Sequence, residues 1–199
     1  MKIFLSWAGS RSLAAARAVR ELITVTLQTV DVFTSDESLP RGIPWGARVL
    51  DELERTDLAI LLVTRENVAN PWLTFEAGAH WARRITVIPL LVDMSPVDLK
   101  GPLAFFQAST ASREDMYRLL AHINELSERK IADASLKRVF HRIWPEVEHE
   151  LSLASPIAAT EGEQAPFWRA QRQVGEQELL KRLEEIQEEL AKLTRKAGA

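Results

Sequence analysis

Apolar positions along the chain fall into short unbroken runs separated by longer stretches with helical spacing. Ile3-Phe4-Leu5-Ser6-Trp7 is short and apolar and reads as a first strand. After the small-residue turn Ala8 to Ser12, residues Leu13, Ala14, Ala15, Ala16, Val19, Leu22 and Ile23 recur at helical spacing, and Ser12 is a candidate cap for that helix. Val30 to Thr34 reads as a second strand. The polar stretch Ser35 to Gly46 contains Pro40, Gly42, Pro44 and Gly46, and loops of this length inside a domain are usually functional. Pro44 can open a helix that carries Val49, Leu50 and Leu53 on one face. Leu58 to Val63 is apolar without alternation, the pattern of a strand covered on both faces, and hence of a parallel sheet under helices. Asn70 and Pro71 form a cap-and-first-turn pair for a helix reaching about Ala82. Thr86 to Val92 predicts a fourth strand whose Pro89 belongs near an edge or a bulge. Leu103 to Ala108 is the place for a short fifth strand, and Arg113 to Leu126 and Leu136 to Leu153 are helical. Successive βα units of this kind predict an α/β fold, an open parallel sheet of about five strands with helices on both faces.

The pattern changes after Leu153. Ser155, Pro156, Gly162 and Pro166 give residues 154–170 the composition of a linker. Beyond it Leu179, Leu183, Ile186, Leu190 and Leu193 alternate spacings of four and three, with charged residues and Gln filling most of the gaps. This is a heptad seam of about two and a half repeats. The expected organisation is therefore a domain over 1–153, a linker over 154–170, and an amphipathic or coiled-coil helix over 171–197. That helix either joins copies of the chain or folds back on the domain.

Composition narrows the class. Apolar residues make up 46% and charged residues 27%, which suits a water-soluble globular chain. The net charge of −3 offers no basic field for nucleic acid. The absence of cysteine excludes disulfides, thiolate metal sites and cysteine nucleophiles. No apolar run has the length of a signal peptide core or a membrane span, so a cytoplasmic location is expected, with neither membrane nor nucleic acid as partner.

In sheets of this type ligands bind beyond the carboxyl ends of the strands. The first strand end offers Ser6, Trp7, Gly9, Ser10 and Arg11; the second offers Asp36, Gly42 and Trp45; the third offers Asn67, Asn70, Trp72 and Glu76. Trp72 and Glu76 stand four apart, one turn apart on one helix face. An indole beside a carboxylate can hold a planar ring next to a centre where positive charge develops. The plainer alternative makes Trp72 a core side chain and Glu76 a solvated one. His80, His122, His141 and His149 lack acidic partners at metal-ligand spacing and read as packing or surface residues, although His80 follows Glu76 by one turn. Neither a GxGxxG nor a GxxxxGK pattern surrounds Gly9, and the first strand lacks the acidic pair of a phosphoacceptor receiver.

Taken in order, Ile3 to Ala8, Val32 to Asp36, the loop Leu39 to Trp45, Leu58 to Thr64 and Trp72-Leu73-Thr74-Phe75-Glu76 resemble a bacterial TIR (Toll/interleukin-1 receptor) domain. The loop resembles the family's BB loop and the last segment its WxxxE motif, over about residues 1–150. The resemblance implies a flavodoxin-like sheet and cleavage of NAD⁺, as substrate and not as cofactor, at the nicotinamide–ribose bond. The products would be nicotinamide and ADP-ribose or a cyclic ADP-ribose isomer. It implies Glu76 as the catalytic carboxylate and Trp72 near the nicotinamide. Ser6, Trp7, Arg11, Asp36, Gly42 and Trp45 are the further candidate substrate contacts, and no metal is called for. It also implies homo-oligomers or filaments built by TIR–TIR contacts, a nucleotide-sensing effector or an activator protein as partner, and service in antiphage defence. Two other classes are compatible with the same residues: a non-enzymatic scaffold acting through self-association, and a nucleoside deoxyribosyltransferase-like enzyme.

Overall fold

The computed structural model describes residues 1–34 and 55–153. Strand β1 (Lys2–Ser6) leads to helix α1 (Ser10–Thr26) and strand β2 (Asp31–Thr34). Strand β3 (Leu58–Val63) is followed by helix α2 (Pro71–Ala82) and strand β4 (Thr86–Leu91). Two 3₁₀ turns (Pro96–Asp98 and Gly101–Phe105) then precede strand β5 (Ser109–Thr110) and helices α3 (Arg113–Leu126) and α4 (Asp133–Leu153). All strand pairs are parallel, in the order β2-β1-β3-β4-β5. This is the open parallel α/β sheet that the alternation of apolar runs and helical stretches predicts, in the flavodoxin-like form that the resemblance implies. The helix expected after Pro44, the linker and the C-terminal heptad segment lie outside the described residues.

The unbroken run of β3 has a direct physical outcome. All six of its residues are fully buried, because both faces of the strand are covered. Ala59, Leu61 and Val63 share one buried cluster with Leu73 and Ala77 of α2 and with Val87, Leu91, Met94, Leu99 and Leu103. Leu58, Ile60 and Leu62 alternate to the opposite face. The helices α1 and α4 pack against each other, with Val19, Leu22, Phe140 and Trp144 buried.

Pro89 sits inside β4, the penultimate strand. Val92 N–H donates to Val63 O on the β3 side, whereas Leu91 O accepts from Ala111 N–H on the β5 side. Alternation therefore turns position 89 toward β5. That strand is only two residues long and pairs with Leu90 and Leu91, so the missing proline N–H falls beyond its ladder. The near-edge position expected for Pro89 follows from this.

Two local expectations differ. The fifth strand is not at Leu103 to Ala108 but at Ser109–Thr110. Gly101 and Pro102 open a 3₁₀ turn that drives Leu103 into the core, and Phe106 N–H closes it on Leu103 O, leaving no extended segment there. The last helix starts at Asp133, one turn before Leu136, because Ala132 O accepts from both Ser135 and Leu136 N–H and Asp133 suits the positive helix end. Truncation at the centre of the sheet should be costly. Leu61→Ala is expected to lower unfolding free energy by about 2–5 kcal/mol, read from urea denaturation.

Candidate functional site

The strand order reverses at β1. The chain passes from β1 to β2 on one side and then to β3 on the other, so the crevice beyond the ends of β1 and β3 is the switch point where such sheets bind ligands. Helix α2 approaches it from the end of β3. Asn70 Oδ1 accepts from Trp72 N–H at 2.8 Å and Pro71 occupies the first turn, so the local sequence sets where the helix starts. From that start Trp72, Glu76 and His80 form one stripe, and all three are buried.

Two periodicities then bring distant residues together. Phe4 and Ser6 share a face of β1 and stand about 6.6 Å apart along it. Glu76 and His80 stand about 6 Å apart along α2. The near match lets both pairs meet. The Ser6 hydroxyl donates to Glu76 Oε2, and the Phe4 ring lies 5.0 Å from the His80 ring. Ser6 and Glu76 each have 0% exposure, so the carboxylate is neither a solvated helix residue nor a surface group. A buried carboxylate is costly unless hydrogen bonds hold it, and the Ser6 hydroxyl supplies one.

The other candidates divide clearly. Trp72 is buried on the Glu76 stripe with its ring 5.2 Å from Phe75. Trp7, 1% exposed, is among the largest buried side chains of the core. Arg11 lies in the first turn of α1. Asp36, Gly42 and Trp45 lie outside the described residues. Ser12 does not cap α1, as its position suggested; the helix begins at Ser10, and the Ser12 hydroxyl donates back to the carbonyls of Ala8 and Gly9. Gly9 itself has φ 90 and ψ 166, a backbone region open almost only to glycine, and it turns the chain from β1 into α1. Asn67, which sequence reading placed at the end of β3 without a role, is buried and bonded at both ends of its amide. Its signal in the sequence was only an Asn three residues after Thr64 in a turn.

A sequence model of the TIR domain family matches residues 3–121, more than half of the chain and all of the site just described. The chain belongs to the TIR domain family. No curated protein matches it. Among solved structures, it is similar to the TIR domains of the activated Roq1 resistosome directly recognising the pathogen effector XopQ, at 15% identity and TM-score 0.41, with 92% of this chain and 98% of that chain covered. It is also similar to a flavodoxin from the domain Archaea, at 13% identity and TM-score 0.33, covering 76% of this chain and 99% of that one. An azoreductase from Bacillus anthracis str. Sterne matches at 10% identity and TM-score 0.30, covering 77% and 98%.

The electrostatics of this TIR domain's site have one clear titrating neighbour. Burial, and secondarily the Arg83 charge, hold His80 well below its ordinary value, at about 4. At neutral pH His80 is therefore an uncharged ring packed on Phe4, adding no positive charge beneath Glu76. In the unfolded chain it would titrate near 6.5, so below that pH the unfolded state takes up the proton first. The contribution to stability is complete above about 6.5 and is lost as pH falls toward 4, by up to about 3 kcal/mol. His80→Phe should flatten this part of the stability–pH curve, measured as the difference between variant and wild-type denaturant midpoints from pH 7.5 to 4.5.

Proposed function

We propose that this TIR domain protein cleaves NAD⁺ at the nicotinamide–ribose bond, with Glu76 as the carboxylate that stabilises the ribosyl cation. The observation that supports this reading most is a buried Glu76, held by the Ser6 hydroxyl, at the switch point of the sheet. Breaking the C1′–N bond sends its electron pair to the pyridine nitrogen and releases neutral nicotinamide. Positive charge then spreads over C1′ and the ring oxygen. This is the charge that glycosidases meet with a carboxylate, and a fixed one is worth most where water is excluded. Ser6 orients the carboxylate in the resting chain, and ribose hydroxyls would take over its hydrogen bond on binding. Attack by water gives ADP-ribose and a proton; attack by an adenine nitrogen closes a ring instead, giving a cyclic ADP-ribose (ADP-ribose less water) and likewise a proton. Trp72, one turn before Glu76 on the same stripe, is the aromatic assigned to the nicotinamide end. Assembly of several copies, an activating partner and a role in antiphage defence belong to the same proposal.

A specific observation favours the scaffold as the second reading. Trp81 and Phe105 are 58% and 73% exposed and stack edge to face at 5.6 Å, an apolar surface of the kind that protein partners cover. Nicotinamide release from NAD⁺, followed by chromatography with mass analysis of the products, separates the two. Glu76→Gln is expected to lower turnover by about 10²–10³-fold and Ser6→Ala by about 10-fold, each with an unchanged circular dichroism spectrum. Unchanged turnover in Glu76→Gln removes the carboxylate from the chemistry. Oligomers without turnover at any protein concentration favour the scaffold.

A further inference from the structure

The β1–β3 ladder ends at the pair Ser6 and Leu61, just where the site begins. Beyond it the two strands would be free to part. Asn67 spans that gap. Its Nδ2 donates to Ala8 O, two residues after Ser6, and to Leu62 O, one residue after Leu61, both at 3.0 Å. Its Oδ1 accepts from Thr64 N–H at 2.7 Å. Its own carbonyl accepts from the N–H of Asn70, the cap of α2, at 2.8 Å. The side chain is 3% exposed, so these bonds form out of water, where replacing a donor by an acceptor is expensive.

We infer that Asn67 is a positioning residue for the site: its amide extends the β1–β3 pairing past the last backbone bond and sets the spacing between Ser6 and the helix that carries Glu76. This rests on the reading of Glu76 as the catalytic carboxylate. Both banks of the site are bonded to this one residue. The Ser6 bank is tied through Ala8, whose carbonyl also receives the Ser12 hydroxyl. The Glu76 bank is tied through the turn from Thr64 to Asn70. An ordinary turn asparagine would bond only within its own turn; this one reaches a carbonyl 59 residues away. Misplacement of a catalytic group weakens transition-state stabilisation more than substrate binding, so the effect belongs in kcat and not in KM.

The test uses the full chain with Asn67→Asp, which sets an oxygen against the carbonyls of Ala8 and Leu62, and Asn67→Ser, which keeps an acceptor near Thr64 N–H but cannot span to Ala8. Hydrogen exchange read by mass spectrometry should be about 10-fold faster in residues 7–12 and 64–72 together, with α3 and α4 unchanged. For NAD⁺ cleavage, kcat should fall about 10- to 100-fold with KM within about threefold of wild type. If Asn67→Asp does not fold, Asn67→Ser decides. Wild-type kcat in a variant whose two segments exchange faster would reduce Asn67 to a structural residue, and faster exchange in only one segment would refute the coupling. If the wild-type protein itself releases no nicotinamide, the NAD⁺ reading fails and takes the catalytic role with it, while exchange still decides whether the amide couples the two segments.

Discussion

A carboxylate held out of water beside a serine hydroxyl is the constraint to which the rest of this domain is fitted. Glu76 and Ser6 are both fully buried, and they are 70 positions apart in sequence. A charged or even a protonated carboxyl in that position is unfavourable unless neighbouring groups are in place before it arrives. The neighbours are supplied by strand and helix periodicities that nearly coincide. Two residues along β1 cover almost the distance of four along α2, so Ser6 meets Glu76 while Phe4 meets His80. Shifting either element by one residue would set the carboxylate against an apolar face.

That alignment rests on the buried sheet beneath it. The strand β3 is buried on both faces, and the apolar cluster under α2 leaves the helix one way to lie. The reversal of strand order beside β3 then leaves a gap between two connections that leave the sheet separately. A backbone ladder cannot bridge that gap, because the ladder has ended. A side chain with both a donor and an acceptor can, and Asn67 has both. The aromatic residues divide by the same logic. Trp7 and Trp72 are inside, where they fill volume close to the site, whereas Trp81 and Phe105 are exposed.

Much of the fold was legible in the chain. The continuous run of β3 announced a strand covered on both faces, and Asn70 with Pro71 announced the start of α2. The fifth strand was less legible, because Leu103 to Phe106 is as apolar as a strand while Gly101 and Pro102 commit it to a 3₁₀ turn. The role of Ser12 was misread for a similar reason. Its hydroxyl has two carbonyls within reach behind it, and donating to them competes with capping.

By itself the sequence determined most of the described strands and helices, and that Trp72 and Glu76 lie on one stripe of α2, since these depend on neighbours within a turn or two. It also matches the TIR domain family over residues 3–121. Only the tertiary structure decided that Ser6 reaches Glu76, that Asn67 joins Ala8 to Leu62, and that His80 stays uncharged against Phe4. Those outcomes depend on strand order and on the removal of water, and neither is a property of any short stretch of chain.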